Sequence, residues 1–194
     1  KAAPHSQNCQ LMWEQIKLYK HNAIRLGDKA AWLQSMILWL NVLLTALVTV
    51  KMFSNSSKSP DEMRSSDTAL SVFNIAVVLL PICISVFIAV VNYFQYNLKA
   101  DILHAAADHM TSHVYSFRSG GGNVAKSEKQ LGEVLGHMTE AVVSTQVGSM
   151  SLTECTAEGE KEVRKSIGMH RNDDAMSPLS PDQYLRYRLD LQLA

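Results

Sequence analysis

The sequence lacks a charge surplus, a cysteine pattern and a catalytic motif, and each absence excludes a class of protein. Its 18 basic residues balance its 18 acidic ones, whereas nucleic-acid binding needs clustered positive charge. The three cysteines, Cys9, Cys83 and Cys155, have neither a CxxC nor a cysteine–histidine spacing, so zinc fingers and a disulfide framework are not indicated. No nucleophile–base pair or cofactor loop is recognisable. We expect no nucleic-acid partner, no cofactor and no enzymatic activity.

Charge is missing altogether from two long apolar stretches. The first runs from Ala30 to Val50, and as a helix it would extend about 31 Å, which matches a bilayer core of about 30 Å. The second, from Thr68 to Leu98, is longer and would have to tilt or project beyond the bilayer. Pro81 is expected to kink it. The pattern predicts transmembrane helices at about 30–50 and 68–96.

A soluble bundle with two fully buried helices is the alternative to a membrane protein. Buried helices of this length without a charged residue are rare in a domain this small, so the pattern favours the lipid bilayer as the surroundings of both helices. Aromatic residues near the ends support this interpretation, because amphipathic rings prefer the membrane interface. These residues are Trp32, Tyr93, Phe94 and Tyr96.

A short polar stretch, SNSSKSPDEMRSSD, separates the two apolar runs and predicts an antiparallel hairpin. Lysine and arginine near the ends of the spans predict its orientation. Six lie on the side of the termini and three on the loop side, so we expect both termini in the cytosol, or in the matrix or stroma of an organelle. The six are Lys17, Lys20, Arg25, Lys29, Lys99 and Arg118, and the three are Lys51, Lys58 and Arg64.

Uncharged polar residues form a stripe along each predicted span. Two interpretations remain open: the stripes hold the hairpin or a neighbouring subunit, or several hairpins assemble so that the stripes line a pore. Neither span carries an acidic or basic residue, so a proton relay or a charged selectivity ring is not expected. The stripes comprise Gln34, Asn41, Thr45 and Thr49, and Ser71, Asn74, Ser85 and Asn92, with Pro81 between the latter.

The rest of the chain is predicted to be helical, so the fold class is an all-α membrane protein with a two-helix hairpin and amphipathic extensions. We divide it into an amphipathic arm (1–29), the hairpin (30–98), membrane-proximal helices (99–148), and a mobile segment with a C-terminal helix (149–194). Capping boxes predict helix starts at Ser127 and Ser180. The arm's apolar side is expected to comprise Leu11, Ile16, Tyr19, Ala23 and Leu26.

His109 and His113 lie four residues apart on a predicted helix, so they share a face and are weak candidates for metal ligands. No HExxH pattern accompanies them and no third ligand is evident. A solvated helix face is therefore the favoured interpretation, and we expect no metal.

Four segments of the sequence follow the pattern of a known family, and they are IKLYKHNAIRLGDKAAWLQSMILWLNVLLTALVTV, VVLLPICISVFIAVVNYF, LHAAADHMTSHVYSFRSG and LSPDQYLRYRL. Together they resemble the SLATT family of two-transmembrane proteins, in the form found in single-celled eukaryotes. The resemblance covers roughly residues 12–118 and 179–189. It implies pore formation or membrane perturbation when a partner senses a signal. It also implies association through the spans and a helical part that serves as the partner surface.

Two functions follow from these patterns. One is a self-associating membrane protein with a pore-forming or effector role, whose partners are lipid and further copies of itself. The alternative is a non-catalytic accessory subunit of a larger mitochondrial or plastid membrane complex, in contact with other membrane subunits. A chain that begins with Lys1 and not with Met is the form expected of a fragment or of a protein whose presequence was removed.

Overall fold

The computed structural model describes residues 7–56, 67–119, 124–145, 147–169, 173–180 and 182–185, and these residues form helices, turns and extended segments but no β-strand. The expected all-α class is confirmed for this part of the chain. Five helices follow one another: α1 (Gln7–Ser56), α2 (Asp67–Phe94), α3 (Tyr96–Ser119), α4 (Val124–Val143) and α5 (Ala157–Ser166).

Helix α1 joins the predicted arm and the first apolar run without a break, since no proline interrupts it. Pro81 lies inside α2, which continues to Phe94, and the kink at this proline stays a prediction. The second apolar run differs from the expected single helix. Gln95 adopts a left-handed backbone (φ 48°), and its amide donates to the Val91 carbonyl at 3.1 Å. A left-handed residue ends a helix in this way, so α2 and α3 are separate helices.

The chain divides into two compact units. The helical unit comprises Lys1–Leu26 and Asn97–Ala194, and the apolar unit comprises Gly27–Tyr96. Two regions are long and apolar enough to cross a membrane, Gln7–Phe53 and Phe73–Ser119.

The helical unit has a core built from the first part of α1 and from α3. Side chains spaced three and four residues apart are buried on both helices, which is the pattern of an amphipathic helix pair. Leu11, expected on the apolar side of the arm, is instead 45% exposed, and the neighbouring Met12 and Trp13 are buried in its place. The largest fully buried side chains on these two helices are Met12, Ile16, Leu103, Met110 and Val114.

The stretch 149–180 belongs to the segment predicted to be mobile (149–194). It contains α5, and Val163 of this helix is completely buried. Residues 151–156, which form neither helix nor turn, attach to α1 through Asn22, whose side-chain amide donates to the Thr153 carbonyl and accepts from the Thr153 amide, both at 2.9 Å. The buried residues of this stretch are widely spaced along the sequence, so no local pattern indicates that the stretch is packed.

Side chains cap two of the helix starts, and a third helix begins before its predicted cap. Thr156 caps α5 by accepting from the Gly159 amide at 3.2 Å. The predicted box at Ser180 is confirmed, because Ser180 accepts from the Gln183 amide at 3.2 Å while Gln183 accepts from the Ser180 amide at 3.0 Å. Helix α4 begins at Val124, so Ser127 lies inside the helix and not at its cap.

A buried ion pair closes the helical unit at the end of α3. The Arg118 guanidinium contacts both carboxylate oxygens of Asp173, at 2.5 and 3.1 Å, and both side chains are 1% exposed. The Tyr115 hydroxyl donates to the same carboxylate at 3.2 Å, and Arg118 Nε donates to the Ser177 carbonyl at 2.8 Å. These bonds hold residues 173–179 against α3.

Candidate functional site

The apolar unit has one partly buried face on each of its helices. These faces consist of aliphatic and aromatic side chains spaced three or four residues apart, as in helix pairs that pack along their length. On α1 they are Leu33, Met36, Leu40, Leu44 and Leu47, and on α2 they are Phe73, Val77, Leu80, Ile84, Phe87 and Val91.

The polar residues of both helices lie on other faces, and all of those with described side chains are exposed. At about 100° per residue, the α1 polar stripe lies roughly 130° around the helix from its partly buried face, and the α2 stripe is displaced similarly. The stripes are therefore not covered by the rest of the chain, and both interpretations, helix packing and pore lining, stay predictions. The residues concerned are Gln34, Asn41, Thr45, Thr49, Asn74, Ser85 and Asn92, while the side chain of Ser71 lies outside the described part.

All four polar residues predicted on α1 line a single shallow groove along that helix. Gln34, Asn41, Thr45 and Thr49 share it with apolar side chains such as Leu38. On α2, a smaller groove contains Asn74 beside aliphatic side chains. Exposure along one groove makes the α1 stripe available to a partner outside the unit.

Several of these polar groups bond to their own helix. Asn41 donates to the Ile37 carbonyl at 2.9 Å, Thr45 donates to the Asn41 carbonyl at 2.9 Å, and Thr49 donates to the Thr45 carbonyl at 2.8 Å. Ser85 likewise donates to the Pro81 carbonyl at 2.8 Å. Such bonds to the residue four positions back satisfy hydroxyl donors on a helix that is surrounded by apolar material.

Three of the four carboxamides in the stripes lack the bond to their own helix that Asn41 makes. Within the described residues, the side chains of Gln34, Asn74 and Asn92 have no hydrogen-bond partner. A carboxamide offers two donors and one acceptor oxygen, and leaving them unpaired in an apolar medium is costly. These three exposed carboxamides therefore have donors and an acceptor free for another molecule.

Aromatic side chains surround the left-handed residue between α2 and α3. Tyr93 meets Phe94 edge to face at 5.2 Å between ring centroids, and Phe94 stacks on Tyr96 at 5.4 Å. Tyr93 is 81% exposed, and the side-chain oxygen of Gln95 is buried without a partner. A large exposed tyrosine at the end of an apolar helix suits a membrane interface.

The helical unit contains a charged cluster that the sequence patterns did not reveal. The Lys20 ammonium lies 2.7 Å from the Asp108 carboxylate and 3.2 Å from His104 Nδ1, and Lys20 is 5% exposed. Burial and the Lys20 charge lower the pKa of His104, so the imidazole is neutral at pH 7. The placement of Lys20 between the apolar residues Ile16 and Ala23 was the one available signal that it faces the core.

His109 and His113 lie on α3 with their ring centroids 4.7 Å apart. They line a groove that also contains Glu133 and His137 of α4, two further ligand-type residues that sequence reasoning missed. The described part of the chain contains no group of three or more metal-ligand side chains already gathered around one point. The four-residue spacing of Glu133 and His137 is the only feature of the sequence that indicates this second pair.

The two cysteines of the helical unit are poor nucleophiles. Burial raises the pKa of the Cys9 thiol. Burial, reinforced by the Glu160 carboxylate, also raises the pKa of Cys155. Both thiols are thus protonated at neutral pH, and the reactive form of cysteine is the thiolate.

Comparisons with known proteins return no match: no family model, no curated protein and no solved structure is similar to this chain.

Proposed function

We propose that the protein is an integral membrane protein of the SLATT type whose copies associate through the polar face of a two-helix hairpin, with a pore-forming or membrane-effector role. The supporting observation is a row of polar side chains on surfaces that the chain itself leaves uncovered. The resemblance to the SLATT family supplies the class of activity.

Exposure of the apolar helices supports the membrane assignment. In the most apolar window of the first candidate span no residue is buried, and in that of the second only 6% are. The core helices of a soluble protein would be mostly buried. Trp39, at 68% exposed, and Phe53, at 73%, would face water without a bilayer, at a cost of about 25 cal/mol for each Å² of apolar surface.

An antiparallel arrangement of α1 and α2 places both polar stripes on the same side of the hairpin. On each helix, the rotation about the axis from the partly buried face to the polar stripe has the same sense as the winding of the helix from its N-terminus to its C-terminus. Because the two helices run in opposite directions, these rotations are mirror images when both are viewed from one end. The stripes therefore converge on one surface, which we name the polar face.

A second copy of the chain is the simplest partner for the polar face. Carboxamides and hydroxyls on one copy can pair with the same groups on another, and each interhelical hydrogen bond contributes about 0.6–2 kcal/mol in membranes. A ring of copies that turn this face inward would enclose a lumen lined by amides and hydroxyls. Such a lumen would be weakly selective because it carries no charge.

The orientation of the hairpin follows from the excess of lysine and arginine at the termini. We infer from this excess that the helical unit lies on the cytosolic side, or on the matrix or stromal side in an organelle. The helical unit is then available as the surface on which a sensing partner acts.

Replacing Asn41 and Asn74 together by leucine tests the role of the polar face. We expect the native particle to lose mass, because two carboxamides per copy no longer pair across the contact. The masses of wild-type and variant particles in gentle detergent are compared, together with their conductance in planar bilayers. If assembly persists but conductance is lost, the face lines the lumen instead of forming the contact.

A matched control changes exposed apolar residues off the polar face, with Leu43→Val on α1 and Val86→Leu on α2. This variant should assemble and conduct as the wild type does. If the leucine variant of the polar face also behaves as the wild type in both measurements, the proposal is wrong. A wild-type particle that contains one copy among many unlike subunits would instead support the accessory-subunit function.

A further inference from the structure

The groove between α3 and α4 carries two pairs of side chains with the spacing of a chelating helix. His109 and His113 lie four residues apart on α3, and Glu133 and His137 lie four residues apart on α4. Residues four apart on a helix are neighbours on one face, so each pair can present two ligand atoms to one ion. The two pairs line the same groove.

The chemistry of these four groups matches the ligand preference of zinc. Zn²⁺ binds imidazole nitrogen and carboxylate oxygen, usually in a four-coordinate tetrahedral arrangement. The rings of His109 and His113 already lie near each other, at 4.7 Å between centroids. Glu133 makes only a long surface ion pair with Lys129, at 3.9 Å, so its carboxylate is free to turn toward the groove.

The histidines are accessible and suited to bind a cation. His109 and His137 are exposed, and His113 is partly exposed. An exposed imidazole can turn a ring nitrogen toward an ion that enters the groove.

We propose that His109, His113, Glu133 and His137 form a binding site for a divalent transition metal, Zn²⁺ above all, that ties α4 to α3. The side chains do not yet surround one point in the described structure. Binding therefore requires rotation about side-chain bonds of exposed residues, while the helices keep their backbone. The site lies within the helical unit, and the proposal is independent of the membrane role.

The test is a titration of the full chain in detergent micelles, after treatment with EDTA, with Zn²⁺ alone and with Co²⁺ as its visible substitute. We expect saturation at one ion per chain and, with Co²⁺, the absorption of a tetrahedral centre. His113→Ala and His137→Ala should each weaken the affinity at least about tenfold, by analogy with the 10–100-fold losses seen when groups that support metal ligands are removed. Glu133→Gln should also weaken it, whereas Glu162→Gln, an exposed carboxylate on α5 that does not line the groove, should not.

Hydrogen exchange at the backbone amides of α4 provides a second test of the proposal. Zn²⁺ should slow exchange in α4 of the wild type and leave the His137→Ala variant unchanged, because the ion stabilises only the form that binds it. Absence of saturable binding overturns the proposal. Binding that survives His137→Ala at full affinity also overturns it, because the α3 pair would then hold the ion without α4.

Discussion

Replacing Asp173 by alanine is expected to destabilise the helical unit by about 3 kcal/mol, the lower end of the usual range for breaking a buried ion pair, because Arg118 loses its buried counter-ion and keeps only the 55% exposed Asp174 carboxylate at 3.7 Å. Arg118 is 4% exposed and cannot reach water without moving the end of α3. The same substitution removes the acceptor of the Tyr115 hydroxyl and of the Ala175 amide. Native-state hydrogen exchange of the full chain in detergent, followed at the amides of α3 and of residues 173–180, measures the loss.

Two comparison variants separate the buried charge from a general effect of substitution. Lys129→Ala breaks a pair in which the side chains are 82% and 66% exposed, and the expected change is below about 1 kcal/mol. The double variant Arg118→Met with Asp173→Leu should lose less stability than Asp173→Ala alone, since it leaves no unpaired charge. Equal losses in the double and single variants would contradict this account of the ion pair.

Replacing Gly148 by alanine is expected to destabilise the turn after α4 by about 3 kcal/mol, the upper part of the usual range for overpacking. A Cβ at this position would lie 2.1 Å from the Val143 carbonyl oxygen, which is a backbone atom and cannot rotate away. The turn would have to open, and Val147, which is 1% exposed, would lose its buried position. Hydrogen exchange at the end of α4 and in residues 147–156 measures the effect.

Gly136→Ala, inside α4, is the control for the same change of residue type. No atom lies within 4 Å of a Cβ built at Gly136, so the substitution meets open space. Alanine is more favourable than glycine inside a helix by about 0.8–1 kcal/mol, and this variant should be slightly more stable than the wild type. Similar destabilisation by both substitutions would show that the contact with Val143 is not the cause.

Features set by neighbouring residues could be predicted from the sequence. The helical class, the uninterrupted α1, the two apolar stretches and the capping box at Ser180 all depend on residues within a few positions of each other. The grouping of the α1 polar stripe also follows from helical periodicity alone, and the structure places its four members in one groove.

Features set by residues far apart in the chain could not be predicted. The pairs Asn22–Thr153, Lys20–His104 and Arg118–Asp173 join residues separated by 131, 84 and 55 positions. No local sequence pattern shows which polar residues form these hydrogen bonds and ion pairs. The left-handed conformation of Gln95 could not be predicted either, because this conformation usually occurs at glycine or asparagine and position 95 holds neither.

The stripes also show why position on a helix does not identify a partner. Periodicity shows that polar residues share a face, but the direction of that face depends on which other face is packed. On α1, Leu40 and Leu47 are partly buried whereas Asn41 is exposed. Periodicity alone does not show which of these faces is covered.

Self-association through the polar face is the central claim, and the mass and composition of the native particle after gentle detergent extraction test it most directly. The account predicts a closed particle made of several copies of this chain. A single copy among many unlike subunits, or a monomer that survives extraction unchanged, would contradict it.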